Sequence, residues 1–341
     1  MKFGYLFMVL LFGLSLLPSC STYFGILSNR RISLDKNNCK FLGLNGKQRS
    51  MCRRDEGMID VLKEAIDISN RSCLYEFHNE RWNCDLSNSS YKKNLLKNRF
   101  KEGSFLYAVS SAGLSHAIAR ACSRNHLLRC SCDETTFDVD KNRETWRWGG
   151  CGDNMKYSQK FVREFLKNNR NDATEKLDRH NSDLGVLLVK KGMKKTCKCH
   201  GISATCSTKT CWKQLAPFQN ISRLIQQKYE SAQKVRLGNG ARPGLLLKEM
   251  SPRKPLSTEM VYRDQSPDYC KPTAHSPGTG GRRCQKDENC DSLCCGRGYD
   301  TKTEEVETMC RCNFIWCCKV ECDVCYNTTE VYTCKRYVPP F

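Results

Sequence analysis

No apolar run in this 341-residue chain is long enough to cross a bilayer comfortably. The longest, Phe3 to Leu17, has 15 residues, where about 20 are needed. No period of about 20–50 residues repeats, which excludes a solenoid. No aromatic-stacking or helix-in-groove nucleic-acid module is present, so the basic character of the chain is not directed at nucleic acid. Acidic side chains are too few to balance the basic ones, 36 against 56, leaving a formal charge of +20. The last 72 residues, from Cys270, are poor in large apolar side chains. They lack the material for an ordinary core, and cross-links must replace it.

What is present starts with the short apolar run. Lys2 precedes it and the small residues Ser19 and Ser21 follow it, the pattern of a secretory signal peptide over residues 1–21. Secretion places the cysteines in an oxidising compartment, where thiols pair. There are 25; removal of Cys20 with the signal leaves 24, an even number that fits a fully paired framework. Loss of Lys2 as well leaves a charge of +19. For a secreted chain that favours sulfated glycans and acidic cell surfaces.

Twelve cysteines lie between Cys39 and Cys211 and twelve between Cys270 and Cys334. The first group is interleaved with helical periodicity. Met58, Leu62, Ala65, Ile66 and Ser69 mark one helix; Phe105, Ala108, Val109, Ala112 and Ala119 mark a second, with small residues that admit a close neighbour. Phe161, Phe165 and Leu166, then Leu184, Leu187, Leu188 and Lys191, then Phe218, Ile221, Leu224, Ile225 and Tyr229 mark three more. The pattern fails from Gly238 to about Tyr269, where Pro243, Pro252, Pro255 and Pro267 interrupt it. The sequence therefore predicts a helical domain over 22–240, a linker over 241–269 and a cysteine-rich domain over 270–341. In the last, ETMCRCNFIWCCKVECDVCYN and TTEVYTCKRY read as the strands of a long hairpin. Four glycosylation sequons occur, at Asn70, Asn88, Asn220 and Asn327.

The densest chemistry is CKCHGISATC, Cys197 to Cys206, followed by Cys211 and Trp212. Zinc fits poorly: Cys-x-Cys is tight for two bonds to one ion, and secretion favours oxidation over thiolate coordination. Hydrolysis by His200 and Ser203 lacks an orienting acid, an oxyanion pocket and a nucleophile elbow. A strapped hairpin is the remaining reading, with Cys199 joined to Cys206 inside Cys197 joined to Cys211. Loops this short still contribute about 3 kcal/mol each in the chain-entropy model. Small residues at the tip leave Ser203 accessible. From spacing alone it reads as a solvated turn residue, or else as an acceptor for an enzyme working from outside.

CKCHGISATCSTKTCW is similar to the signature of the Wnt family of secreted, lipid-modified signalling proteins. So are RWNC at Arg81 to Cys84, AGLSHAIARACS at Ala112 to Ser123 and WGGCGDN at Trp148 to Asn154. CRCNFIWCCKVECDVC, Cys310 to Cys325, resembles the family's C-terminal hairpin, and the motifs run in order from about Cys39 to Cys334. The resemblance implies an α+β, disulfide-rich fold: a helical N-terminal domain with a lipid-bearing hairpin, the thumb, and a small cysteine-knot-like β domain with a second projection, the index finger. It implies a ligand without catalysis or metal. Ser203 would carry a monounsaturated fatty acyl ester, attached by the acyltransferase porcupine. The carrier Wntless would convey the chain to the extracellular space and matrix. There it would engage the cysteine-rich domain of Frizzled receptors through Ser203 and through Phe314, Ile315, Trp316, Cys317, Cys318 and Val320. Low-density-lipoprotein-receptor-related co-receptors would complete the signalling complex, acting in development with or without β-catenin.

The same resemblance implies the bridges Cys73–Cys84, Cys122–Cys130, Cys132–Cys151, Cys270–Cys295, Cys284–Cys290, Cys294–Cys334, Cys310–Cys325, Cys312–Cys322 and, between neighbours, Cys317–Cys318; Cys39 and Cys52 are left to pair with each other. Heparan sulfate is an expected partner of Lys190, Lys191, Lys194 and Lys195 and of Arg253 and Lys254, though a solvated helix face explains the first cluster equally well. Two departures stand out. Ser203-Ala204-Thr205 replaces the family's usual Ser-Gly-Ser, at a cost of about 1 kcal/mol if the middle position needs positive φ. Asp85 after Cys84 removes a sequon that the family often has. The rival reading is a disulfide-rich matrix or inhibitor protein that binds glycans without lipid.

Overall fold

The computed structural model describes residues 39–40, 42–86, 88–133, 146–148, 151–167, 173–206, 209–237, 246–249 and 253–337. The expected signal peptide, 1–21, lies outside them. In chain order the helices are α1 (Gly46–Cys52), α2 (Met58–Glu76), α3 (Ser89–Lys97), α4 (Lys101–Ser123), α5 (Met155–Phe165), α6 (Ala173–Lys191), α7 (Phe218–Glu230) and α8 (Cys290–Leu293). The strands are β1 (Trp146–Trp148), β2 (Lys194–Cys199), β3 (Lys209–Gln214), β4 (Gln233–Leu237), β5 (Leu246–Lys248), β6 (Val261–Tyr262), β7 (Arg283–Cys284), β8 (Tyr299–Ile315) and β9 (Lys319–Cys334). They form two compact units, each discontinuous in sequence. One comprises the described residues up to Ser72 with Lys101–Arg263; the other comprises Cys73–Phe100 with Asp264 and the residues after it.

The first unit is organised by α4. Every residue from Glu102 to Ala119 is buried, as befits a helix enclosed on all sides. Small residues set how close its neighbours come. A β-carbon on Gly113 would meet Ser69 Oγ of α2 at 2.1 Å and the Ala65 carbonyl at 2.9 Å. One on Gly185 of α6 would meet the Ala108 carbonyl oxygen at 2.1 Å and Ser111 Oγ at 2.5 Å. The buried hydroxyls at these contacts are satisfied across the interface, as burial demands. Ser111 Oγ donates to the Ser182 carbonyl at 2.7 Å, and Ser158 Oγ to the Ser115 carbonyl at 2.7 Å. His116 donates Nε2–H to the Ala216 carbonyl at 3.0 Å, and burial lowers its pKa, so it packs as a neutral imidazole.

Gly185→Ala is therefore expected to destabilise this unit by about 1–3 kcal/mol, because the obstruction is backbone and cannot swing aside. Gly46→Ala, with nothing within 4 Å of the new carbon, is expected to be neutral or mildly stabilising. Urea midpoints of the two variants test the contrast.

The stretch expected to be a linker contains β5 and β6. They flank β4 in a three-stranded sheet, with Val235, Leu246 and Val261 buried against Leu177. Asn181 holds Val261 from both sides: its Oδ1 accepts from the Val261 amide at 3.0 Å, and its Nδ2 donates to the Val261 carbonyl at 2.9 Å. Prolines break local periodicity without preventing such side-chain-to-backbone anchoring.

In the second unit, Arg282 donates to the carbonyls of Glu80, Arg81 and His78 at 2.6, 2.9 and 2.8 Å, closing the end of α2. Arg81 Nε donates to the Ser292 carbonyl at 3.0 Å, and Trp82 lies between Phe77 and Tyr269. The core is largely cystine: Cys290, Leu293, Cys294 and Cys334 are buried together, with Cys284, Tyr299 and Tyr332 against them. Sulfurs of Cys284, Cys294 and Cys334 lie within 4.8 Å of one another, but they belong to the Cys284–Cys290 and Cys294–Cys334 bridges and offer no thiolate to a metal.

The remaining bridges among the described residues are Cys39–Cys52, Cys73–Cys84, Cys122–Cys130, Cys132–Cys151, Cys197–Cys211, Cys199–Cys206, Cys270–Cys295, Cys310–Cys325 and Cys312–Cys322. The expected Cys317–Cys318 bond is absent, and both thiols are free and exposed. Both residues instead take positive φ, 72° and 80°, in the turn that reverses the chain between β8 and β9.

Candidate functional sites: a strapped hairpin and an exposed finger tip

Strands β2 and β3 pair antiparallel, with Cys197 directly opposite Cys211 and Cys199 opposite Lys209. The parallel strand β1 lies along the other edge of β3. Cys197–Cys211 staples the stem and Cys199–Cys206 closes the loop. Inside that loop a single 3₁₀ turn, Ile202–Ala204, is held by two bonds: the Gly201 amide donates to the Thr205 carbonyl at 2.9 Å, and the Thr205 amide to the Ile202 carbonyl at 3.2 Å.

At the summit Ser203 is exposed, and its backbone is left-handed, φ 54° and ψ 37°. Serine gains nothing there, and a non-glycine residue in this region costs about 1–2 kcal/mol. Such strain persists only where surrounding links over-determine it, and here two disulfides do. The neighbouring Ile202 is 91% exposed, an apolar side chain the tip has no means to bury. His200 pairs its Nε2 with Thr210 Oγ1 on the stem at 3.0 Å; it serves the hairpin rather than Ser203. The positive φ thus falls on the serine itself.

The second projection is the β8–β9 hairpin. Its turn falls at Trp316–Cys318, inside the first of the two runs that the sequence suggested as separate strands. Phe314 stands opposite Val320 and Ile315 opposite Lys319. Trp316 is 90% exposed and Phe314 70%; Ile315 and Val320 are exposed as well. The bridges Cys310–Cys325, at the edge of a β-bulge, and Cys312–Cys322, within it, stiffen the shaft where Arg311 has φ 45°.

Sequence reasoning missed how far the apolar surface continues. Across the bulge the register places Met309 opposite Val324 and Glu307 opposite Tyr326. Residues two apart share a face, so Val320, Val324 and Tyr326 line up with Phe314 and Met309, and all are exposed. The signal was the even spacing of Val320, Val324 and Tyr326, at i, i+4 and i+6, but the partner strand could not be aligned without knowing where the bulge lies.

Among the sequons, Asn88, Asn220 and Asn327 are exposed. Asn88 caps α3 by accepting from the Ser90 amide at 2.8 Å, and Asn327 donates to Thr308 Oγ1 at 3.0 Å on the finger. Asn70 is half-buried on α2, with its Oδ1 buried and without a hydrogen-bond partner. Lys190, Lys191, Lys194, Lys195, Arg253 and Lys254 are all exposed.

Comparison with known proteins identifies the family. The family model described as wnt family matches residues 40–335. Protein Wnt-9a of Gallus gallus is 49% identical over 308 residues, 87% of this chain and 86% of that protein. Human Wnt-9b is 44% identical over 311 residues, 87% of this chain and 85% of that protein. In the solved structure of human WLS in complex with WNT8A, one chain superimposes with a TM-score of 0.62 at 32% identity, covering 81% of this chain and 93% of its own length. A match of this extent, carrying the strapped hairpin and the cystine-rich finger together, establishes that the chain belongs to the Wnt family.

Proposed function

We propose that this Wnt signalling ligand carries a monounsaturated fatty acyl ester on Ser203 and presents it to the cysteine-rich domain of a Frizzled receptor. The observation that carries the reading is the left-handed, exposed Ser203 at the summit of a hairpin strapped twice. A hydroxyl held there is open to an acyltransferase such as porcupine. Wntless, the carrier, would shelter the chain in transit after removal of the signal at 1–21. In the receptor the finger tip supplies a second contact through Phe314, Ile315, Trp316 and Val320, with Cys317 and Cys318 as free thiols in its turn.

Low-density-lipoprotein-receptor-related co-receptors then complete the complex that stabilises β-catenin or drives a β-catenin-independent branch. Sugar belongs on Asn88, Asn220 and Asn327 ahead of Asn70, whose side chain is half-buried. The exposed basic clusters at Lys190–Lys195 and at Arg253 and Lys254 suit heparan sulfate in the matrix. The family acts by signalling rather than by catalysis, and His200 is already engaged with Thr210.

Mass spectrometry of the secreted protein's Ser203 peptide is the direct test. An ester-linked unsaturated acyl mass, released by hydroxylamine, is the expected result. An unmodified serine in fully active material overturns the reading in favour of a lipid-free, glycan-binding protein.

A further inference from the structure

The strapped hairpin is braced within itself, so its attitude is decided at its root. The chain leaves β3 at Gln214 and enters α7 at Phe218. Around this joint, residues 213–216 are tied down at three points. The Lys213 carbonyl accepts from the Asp153 amide at 3.0 Å. The Leu215 amide donates to Asp153 Oδ2 at 2.8 Å. The Ala216 carbonyl accepts from His116 Nε2 at 3.0 Å. Asp153 is in turn held to α4, because Ser123 Oγ donates to its Oδ1 at 2.6 Å. Pro217, at the N-cap of α7, adds no side-chain cap. Helix α4 thus grips the root through one carboxylate and one imidazole.

The imidazole suits this place in one protonation state only. His116 is buried, and its Nδ1 is buried without a hydrogen-bond partner. An imidazolium carries N–H on both nitrogens, and a buried N–H with nothing to accept it is costly. The charged groups facing the ring are Arg120, one turn along α4, Glu64 on α2 and Asp153 ahead of α5. Helix α7 presents the uncharged Phe218 ring, edge-on at 5.4 Å between centroids. Burial opposes the charge and outweighs the rest, lowering the pKa; the Ala216 carbonyl and the two carboxylates favour the imidazolium, and Arg120 opposes it.

We propose that His116 is a proton-operated latch on the root of the hairpin, closed at neutral pH and released in mild acid. The sign follows from linkage. Above about pH 6.5, the ordinary value for histidine, the ring is neutral whether the latch is closed or open. Below it, the open form takes a proton that the closed form refuses. The closed form's advantage then shrinks by up to about tenfold per pH unit, until its own, lower pKa is reached. Release moves the hairpin as one body, because Cys197–Cys211 and Cys199–Cys206 keep β2, β3 and the tip together. Ser203 is therefore held in a fixed attitude at the neutral pH outside a cell and in a variable one in an acidic vesicle. The latch works alike with or without an acyl chain on Ser203.

Amide hydrogen exchange of the purified protein, corrected for the intrinsic rate at each pH, reads the latch. The reporters are the Leu215 and Asp153 amides, which both donate within the root, against Ile118 in the interior of α4. From pH 7.4 to 5.5, protection at the root is expected to fall severalfold, up to about tenfold, with Ile118 unchanged. His116→Gln keeps a donor for the Ala216 carbonyl and does not titrate, so its root should be equally protected at both pH values. His200→Gln, which removes the hairpin's own imidazole, should lose root protection as wild type does.

Root protection that is flat in wild type, or that falls equally in His116→Gln, overturns the latch, as does a loss shared by Ile118. If His116→Gln does not fold, the wild-type profile decides. A loss that sets in below about pH 6.5 and stays at the root supports the latch, whereas one that appears only near pH 4, where carboxyl groups ordinarily titrate, overturns it.

Discussion

Ser203→Ala is expected to abolish signalling while leaving a folded protein. The side chain is exposed and the turn around it is closed by the Gly201–Thr205 and Thr205–Ile202 bonds, neither of which uses the serine hydroxyl. Alanine meets the same left-handed φ with the same β-carbon, so stability should move by no more than about 0.5 kcal/mol. The loss falls on the lipid. Burying about 14 methylenes at about 0.8 kcal/mol each is worth on the order of 10 kcal/mol before the entropic cost of ordering the chain. Even if most of that is offset, affinity for an immobilised Frizzled cysteine-rich domain should fall by about three orders of magnitude or more. Surface plasmon resonance reads the affinity and a thermal melt reads the fold. Equal affinity of alanine and serine forms, both folded, would sink the acyl reading outright. A variant that melts early would show instead that the hydroxyl matters to the tip.

The way this site could be read before any coordinates depended on distance along the chain. The strapped hairpin was legible because its parts are local: four cysteines and a serine lie within 15 residues, Cys197 to Cys211, and their nesting limits the possible geometry. Helices α2, α4, α5, α6 and α7 were legible for a similar reason, since a 3.6-residue period is a local signal. Helices α1 and α3 were not, being short and polar; α1 is fixed by a capping box between Asn45 and Gln48 that needs no apolar face.

The division into units was the hardest to see. Cys73–Phe100 belongs with the cysteine-rich part because Arg282 reaches back about two hundred residues to the carbonyls after α2. No composition window registers a guanidinium meeting a distant backbone. Val261 was hidden in the same way, because its partner is the amide of Asn181. The cysteine pair at the finger tip misled differently. Family resemblance suggested a bond between neighbours, and the backbone instead uses both residues to turn the chain.

The finger tip yields the second large effect. Trp316→Ala and Phe314→Ala are each expected to weaken receptor binding by about 2–4 kcal/mol, roughly 30- to 1000-fold, without moving the unfolding midpoint. Both halves of the expectation follow from exposure. A tryptophan 90% in water contributes little to folding, since it has almost no contacts to lose. The same ring is a large, stiff surface at the end of a shaft cross-linked by Cys310–Cys325 and Cys312–Cys322, so little is spent in ordering it when a partner covers it. Val324→Ala and Tyr326→Ala, further down the same face, separate a tip contact from a longer one. If only the tip enters the receptor, these two should be near neutral. If they also cost more than about 1 kcal/mol, the apolar face is engaged along its length. Affinity unchanged in the Trp316 variant would remove the finger from the receptor contact, and the exposed row from Phe314 to Tyr326 would then belong to some other partner.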